Sequence, residues 1–147
     1  MKKKRKGLKA RVFFNASVIL SGLRSSRGGS GKILAWSKSH KIVGIVSEVV
    51  LAEVLKHAEK IGLEKEDVAN KMVTIFPRIS PAPSFQNVSA YQKKVVDPGD
   101  AHLLASALES QADFLASLDK RHILSLQEDM KEFRIVSPGQ LIEILSY

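Results

Sequence analysis

The sequence contains no cysteine, which excludes a disulfide framework, a thiol nucleophile, a cysteine-based zinc site and an iron–sulfur cluster. Aromatic residues are also scarce, at 6% of the chain with a single tryptophan. No hydrophobic run approaches the roughly 18 residues of a membrane-spanning helix, and no signal-peptide stretch follows the basic start. We therefore expect a cytoplasmic protein with no membrane partner.

The length and composition predict an ordinary globular protein. The 147 residues are enough for one domain and too few for two. Hydrophobic residues make up 44% and charged residues 26%, close to the average for folded soluble domains. Extensive disorder and a fibrous repeat are therefore both excluded.

The net charge of +8 comes from the start of the chain. Seven of the 23 lysines and arginines lie in residues 1–11 with no acid among them, so 16 basic residues accompany 15 acidic ones in the remainder. We predict a flexible basic arm over residues 1–11 and a nearly neutral domain over residues 12–147. Such an arm can neutralise phosphates without reading sequence, and a role in solubility explains it equally well.

Short apolar runs alternate with helical patterns along the whole chain. The runs predict strands at residues 12–14, 42–46, 114–118 and 133–136, with a short edge strand near Ile79. The helical patterns lie at residues 17–23, after Ser30, and at 47–60, 63–76, 88–96, 100–111, 120–126 and 138–145, and residues 27–31 read as a flexible loop. This alternation predicts a three-layer α/β/α fold with a central, mainly parallel sheet of four to five strands.

Oxygen-bearing side chains recur where these strands end and where the helices near them begin. Asn15 follows the first strand, Glu53 lies one turn into the helix after the second, and Asp119 follows the strand at 114–118. Asp97 and Asp100 begin the helix that leads into that last strand. Since carboxyl ends of parallel strands share one edge, we expect these groups to converge.

Converging carboxylates favour a bound cation. Two carboxylates about 5 Å apart repel by about 3 kcal/mol at an effective dielectric of 20, and a hard divalent ion removes that cost. Oxygen ligands without sulfur suit Mg²⁺ or Mn²⁺, and a metal-bound water can attack a phosphodiester. The pattern therefore predicts a metal-dependent nuclease.

Each acid also has an ordinary explanation when taken alone. Asp97 and Asp100 can cap the helix that follows Pro98, and Asp119 can cap the next one. Glu53 fits a solvent-facing helix position. The joint pattern, rather than any single member, favours the metal site.

Four segments of the sequence resemble, in order and spacing, the four acidic motifs of PIN domains. They are FFNASVIL at 13–20, VSEVVLAEV at 46–54, DPGDAHLLASAL at 97–108 and ADFLASLDK at 112–120. The resemblance covers about residues 10–140. It implies a nuclease that cleaves single-stranded RNA with Mg²⁺ or Mn²⁺. Because many members of that family are VapBC-type toxins, it also implies an antitoxin partner and a homodimer.

The resemblance assigns roles position by position. It implies that Asn15, Glu53, Asp100 and Asp119 form the catalytic set, and that Asp97 is an additional acid found in some members. The metal ligands that it implies are Asn15, Asp97, Asp100 and Asp119. Supporting hydroxyl groups are implied at Ser17 and Ser117.

Asn15 departs from the family pattern, which has aspartate at this position. Asparagine keeps the shape and one carbonyl oxygen but carries no charge, so cation affinity and water activation should both fall. Two interpretations stay open. The chain is either a natural member that binds without cutting, or one in which a toxic nuclease was silenced by substitution.

Other functions are weaker interpretations of the same residues. A catalytically silent module that binds RNA or protein uses the fold without the chemistry, and a phosphoryl-transfer or receiver-like domain also clusters acids. The run from Arg27 to Lys32 lacks the residues of a phosphate-binding Walker loop. The histidines show no metal-ligand spacing, and we expect His102 on the surface or in packing rather than in the cleft.

Overall fold

The computed structural model describes residues 8–146, which form five strands and seven α-helices. The strands are β1 (Arg11–Phe14), β2 (Val43–Ser47), β3 (Arg78–Ser80), β4 (Phe114–Ala116) and β5 (Arg134–Val136). The helices are α1 (Ala16–Arg24), α2 (Gly29–Lys38), α3 (Glu48–Ala58), α4 (Lys65–Ile75), α5 (Phe85–Gln92), α6 (Pro98–Glu109) and α7 (Pro138–Leu145). Within this range no helix combines the length and apolar character needed to cross a membrane.

The five strands form one sheet in the order β3-β2-β1-β4-β5, with every neighbouring pair parallel. The central strand β1 is apolar from Val12 to Phe14, and these three side chains are fully buried. Both faces of β1 must therefore be covered, as in other parallel sheets. Phe14 packs edge-to-face against Phe76, with ring centroids 5.0 Å apart, which fixes the strand end that leads into Asn15.

The seven helices form two groups, and the helices within each group contact one another. Helices α1, α2, α3, α4 and α7 are linked by direct contacts, and α5 packs against α6. The chain moves from β1 to β2 and β3 on one side of the sheet and then returns to β4 and β5 on the other. This arrangement confirms the predicted α/β/α fold with a parallel sheet.

The chain adds β2 and β3 on one side of β1 and then adds β4 and β5 on the other side, so the connectivity switches between β1 and β4. Sites in open α/β sheets lie at such a switch point, outside the carboxyl ends of the two strands. Here those ends carry Asn15 after β1 and Ser117 after β4. The topology alone therefore selects the part of the molecule where chemistry is expected.

The start of the domain differs from the predicted boundary. Residues 1–7 of the predicted arm lie outside the described residues, and Arg11, which we assigned to the arm, is the first residue of β1. Its guanidinium donates hydrogen bonds to the carbonyl oxygens of Ser110 and Gln111 at the end of α6, at 2.7 and 3.2 Å. Arg11 is thus a structural residue that stabilises the last carbonyls of a helix.

The prediction of a flexible loop at residues 27–31 is wrong for residues 29–31. Helix α2 begins at Gly29, and both Ser30 and Gly31 are buried in its first turn. A β-carbon at Gly31 would lie 2.6 Å from the carbonyl oxygen of Ser26, so this glycine permits close packing rather than flexibility. Tertiary packing here overrides the poor intrinsic helix propensity of glycine.

Two other helices differ from their predicted positions. The helix predicted at residues 88–96 is found at Phe85–Gln92, because the Ser84 hydroxyl caps its start by accepting from the Asn87 backbone N–H. The helix predicted at residues 120–126 is a turn followed by a short 3₁₀ segment at Leu124–Leu126. Asp119 still caps that turn.

Candidate functional site

A single cleft of about 450 Å³ lies at the carboxyl end of the sheet. It is lined by residues from β2, α1, α3, α6 and the segments that follow β1 and β4, which include Asn15, Ser17, Glu53, Asp97, Asp100 and Asp119. Six of the seven candidate residues therefore share one cleft, although the first and last are more than 100 positions apart in the sequence. The seventh, Ser117, is fully buried beneath them.

The Ser117 hydroxyl connects the ends of the two central strands. It accepts a hydrogen bond from the Asn15 side-chain amide at 2.9 Å and another from the backbone N–H of Asp119 at 3.0 Å. This contact uses the amide nitrogen of Asn15 and leaves its oxygen as the atom available for a ligand. The hydroxyl thus fixes the relative position of residues 15 and 119.

Ser17 makes a similar connection from the first turn of α1. Its hydroxyl accepts from the backbone N–H of Leu118 at 3.2 Å. Together, Ser17 and Ser117 hold the segment after β4 against the end of β1. Both hydroxyl groups accept from backbone N–H groups of this segment, so their role is to set the shape of the cleft.

Both carboxylate oxygens of Asp119 contact His122. One oxygen accepts from the His122 backbone N–H at 2.9 Å, and the other lies 3.4 Å from the imidazole Nδ1. The predicted capping role of Asp119 is thus present in the structure, together with its place in the cleft. Each carboxylate oxygen keeps a second lone pair, so Asp119 can bind a cation while it contacts His122.

The remaining acids approach from α3 and α6. Asp97 is the N-cap of α6, and one of its oxygens accepts from the Gly99 backbone N–H at 2.8 Å. Asp100 lies half-buried in the first turn of that helix, and Glu53 lines the cleft from an exposed position on α3. Asp97 is therefore both the N-cap of α6 and a residue of the cleft lining.

The acids influence one another. Burial raises the pKa of the Asp100 carboxyl, and the nearby charges of Asp97, Asp119 and Glu53 raise it further, while His122 opposes them. The carboxylates thus lie close enough to repel. The cost of that repulsion falls on the ionised form of Asp100.

Asp100→Asn is expected to stabilise the protein in the absence of metal. Since its folded-state pKa is raised, ionised Asp100 destabilises the fold at neutral pH, and this cost disappears as the pH falls through that pKa. Partial exposure limits the gain at pH 7 to at most about 1 kcal/mol. Thermal unfolding of both proteins in a chelator, at neutral and acidic pH, measures this gain in stability.

The matched control is Asp67→Asn in the first turn of α4, an exposed aspartate outside the cleft. It removes a favourable interaction with the helix dipole, so it should not stabilise. A decrease in the melting temperature of the Asp100→Asn variant at neutral pH would show that repulsion is not the dominant effect.

The donor set fits a hard divalent cation in kind, because the cleft offers carboxylate and amide oxygens. Among residues 8–146, however, no group of three or more acidic or histidine side chains is already gathered around one point. One oxygen of Asp97 and both oxygens of Asp119 contact backbone N–H groups or His122 instead. A cation therefore has suitable ligands here, and side-chain rotations are needed to bring them together.

The cleft also contains side chains that the sequence analysis missed or assigned elsewhere. His57, His102 and Ser106 line it, although His102 was expected on the surface or in packing. Residues three or four positions after each acid share its helix face, and this spacing is the signal that identifies His57 after Glu53 and Leu103 after Asp100. Glu48, in contrast, lies outside the cleft lining and accepts from the Ala82 backbone N–H at 3.1 Å.

Comparison with known proteins agrees with this fold. The structure is similar to that of PAE2754 from Pyrobaculum aerophilum, with a TM-score of 0.62 and 16% identity over 93% of this chain and 96% of that one. It is also similar to VapBC2 from Rickettsia felis bound to a DNA fragment from their promoter, with a TM-score of 0.60 and 12% identity over 86% and 98% of the two chains. No curated protein matches the sequence. The PIN domain model matches residues 11–121, so the chain belongs to the PIN domain family.

Proposed function

We propose that this protein is a metal-dependent endoribonuclease of the PIN type, acting on single-stranded RNA, and that Asn15 lowers its activity. PIN domains are generally metal-dependent nucleases. The observation that carries the proposal is the convergence of Asn15, Glu53, Asp100 and Asp119 from separate stretches of the chain into one cleft. The raised pKa of Asp100 supports it, because repelling carboxylates favour cation binding.

In this proposal Asp97, Asp100, Asp119 and the Asn15 carbonyl oxygen hold Mg²⁺ or Mn²⁺, directly or through water. The ion supplies charge stabilisation at the phosphate and an acidic bound water. Glu53, which approaches from α3, orients or deprotonates the attacking water. Ser117 keeps Asn15 and Asp119 at a fixed separation.

A protein inhibitor is the second part of the proposal. The name of the structurally similar VapBC2 matches the VapBC-type toxin–antitoxin pairs that the sequence resemblance implies, and this supports an antitoxin as a partner of the present chain. Such a partner would cover the cleft that holds the acids. The homodimer implied by the sequence resemblance stays a prediction.

A catalytically silent binding module is the alternative, and Asn15 favours it. The cleft carries one formal charge less than the family pattern, and the Asn15 amide is satisfied by Ser117 without any metal. In that case RNA or a protein partner would be bound and left intact. The two candidates differ in whether bound RNA is cut.

Manganese titration tests the metal site directly. We expect Glu53→Gln, Asp100→Asn and Asp119→Asn each to weaken Mn²⁺ binding by about tenfold or more, because each removes one charge near the ion. Isothermal calorimetry or the paramagnetic relaxation of water measures the affinity, and Asp67→Asn serves as the control. Equal Mn²⁺ binding by all four variants and the unmodified chain would contradict the proposal.

A further inference from the structure

Positive charge is concentrated in the first third of the chain. Residues 1–47 contain 12 lysines and arginines and no aspartate or glutamate, whereas residues 48–147 contain 11 basic and 15 acidic residues. Seven of the 12 cations belong to the predicted arm, and the other five, all exposed, are Arg24, Arg27, Lys32, Lys38 and Lys41. We call these five residues the α2 basic surface, because they lie on α2, at the end of α1 or on the segments that flank α2. We propose that the α2 basic surface binds the phosphate backbone of a double-helical nucleic acid.

The end of α2 brings two of these cations together. The chain turns back after the helix, with His40 at a positive φ of 65° and the Lys41 backbone N–H donating to the Trp36 carbonyl at 2.9 Å. The Lys41 Nζ lies 4.1 Å from the centroid of the Trp36 ring, and the Lys32 Nζ lies 5.8 Å from the same centroid. Two ammonium groups therefore share one aromatic ring, which holds both at the surface of the domain.

The α2 basic surface has no anionic partner within the described part of the chain. None of its five cations forms an ion pair with a carboxylate of residues 8–146. Positive charges gathered in this way repel one another, and an anionic ligand relieves that repulsion. None of the five residues lines the cleft that holds the acids, so this surface is a separate site.

The start of the described chain lies beside the same surface. The Val43 backbone N–H donates to the Ala10 carbonyl at 2.9 Å, so the first residues of the domain lie next to the segment that carries Lys41. Lys9 is exposed there, and every residue from 2 to 6, which precede it in the sequence, is lysine or arginine. This supply of cations suits a long polyanion better than a single phosphate group.

The aromatic residues of this region favour a double helix over a single strand. Proteins that hold single strands stack successive bases on exposed aromatic rings. Within residues 8–47 every phenylalanine and tryptophan, namely Phe13, Phe14 and Trp36, is buried, and His40 offers only one exposed imidazole. A double helix keeps its bases stacked inside and carries about one negative charge per 1.7 Å of its axis. Lysine contacts to its phosphates need no aromatic ring and read no sequence.

Fluorescence anisotropy in EDTA tests the inference, because the chelator removes any metal-dependent binding at the cleft. The unmodified chain is titrated against a labelled RNA duplex, a DNA duplex of the same sequence and the corresponding single-stranded RNA, each about 20 nucleotides per strand, over about 50 to 200 mM salt. We expect at least one duplex to bind about threefold or more tightly than the single strand, with an affinity that falls steeply as salt rises. The duplex that binds more tightly identifies the source of the backbone.

The combined substitutions Lys32→Gln, Lys38→Gln and Lys41→Gln remove three charges and keep most of each side-chain stem. The slope of log affinity against log salt should become shallower by about 2 to 3, because each lost phosphate contact removes about one from it. Affinity for the duplex at about 100 mM salt should fall about tenfold or more. Arginine at the same three positions keeps the charges, so that variant should retain both the affinity and the slope.

The matched control combines Lys56→Gln, Lys60→Gln and Lys93→Gln, three exposed lysines of the acidic part of the chain. It changes the net charge by the same amount and should leave the slope unchanged. An equal loss in this control contradicts the inference, because net charge would then govern binding. A glutamine variant with an unchanged slope contradicts it too, as does an arginine variant that loses as much as the glutamine variant.

Two results with the unmodified chain also overturn the inference. One is a single strand that binds as tightly as both duplexes. The other is an absence of binding to either duplex, which is what an acidic protein segment as the natural occupant predicts. Because the measurement is made in EDTA, its failure leaves the nuclease proposal standing, and a failure of Mn²⁺ binding leaves the α2 basic surface standing.

Discussion

Asn15→Asp is expected to tighten Mn²⁺ binding by about 100-fold and to produce metal-dependent cleavage of single-stranded RNA. A carboxylate about 4 Å from a unit charge gains about 4 kcal/mol at an effective dielectric of 20, and desolvation of the carboxylate offsets part of it. The substitution preserves the shape of the side chain. Ser117 can donate its hydroxyl proton to the new carboxylate, where it now accepts from the amide of Asn15.

The same substitution should have opposite effects on stability with and without metal. In a chelator, a further carboxylate joins a cleft whose acids already raise the pKa of Asp100, so the melting temperature should fall below that of the unmodified chain. Saturating Mn²⁺ should reverse the order, because a ligand that binds the folded state stabilises it. Thermal unfolding in the two buffers measures both changes in the melting temperature.

Asn15→Ser is the matched neutral variant, and it should neither cut RNA nor gain affinity for Mn²⁺. Cleavage is followed on labelled single-stranded RNA by gel electrophoresis. If the Asn15→Asp protein is folded, binds no Mn²⁺ and cuts no RNA, the nuclease proposal is wrong. RNA binding without cutting would then favour the silent module.

Gly44→Ala is expected to destabilise the fold by about 3 kcal/mol, near the upper end for overpacking a core. Gly44 lies in β2 directly beneath α2, and a β-carbon there would collide with the Ser37 hydroxyl and lie 2.7 Å from the Ser37 Cβ. Ser37 is fully buried and donates to the Ile75 carbonyl at 2.6 Å, so it has no free space to move into. Urea denaturation measures the loss.

A second substitution separates this collision from a general sensitivity of the strand. Ser37→Gly removes both colliding atoms, so the double variant should be more stable than Gly44→Ala alone, although Ser37→Gly by itself loses a buried hydrogen bond. Gly139→Ala in the first turn of α7 meets no atom closer than 4.0 Å and should be neutral or stabilising. Additive effects of the two substitutions would exclude the proposed contact.

The central strands of the sheet were predictable because they are nearly continuous apolar runs. Val12 to Phe14 is apolar at every position because both faces of β1 are buried, and such a run needs no knowledge of its neighbours. The first turn of α2 was not predictable in the same way. Its glycines read as a loop, and the close approach of Gly31 to the Ser26 backbone depends on the path of the chain between α1 and α2.

The sequence predicted the acids of the site because of the topology of the sheet. In a parallel sheet every strand delivers its next residue to the same edge, so Asn15 and Asp119 had to lie near each other once the strands were placed. The backbone contact from His122 to Asp119 is the capping contact that the sequence predicted. The approach of the His122 imidazole to the second carboxylate oxygen was not predictable, because it depends on the side-chain conformation of His122.

The partners of β1 arise at very different times during synthesis. One edge of β1 pairs with β2, which follows within about 30 residues, whereas the other pairs with β4, which begins at Phe114. A nascent chain therefore carries the exposed edge of a strongly apolar strand until most of the protein has left the ribosome, a state that is prone to aggregation. Asn15 and Ser117 meet only after that point, so an incomplete chain has no assembled cleft.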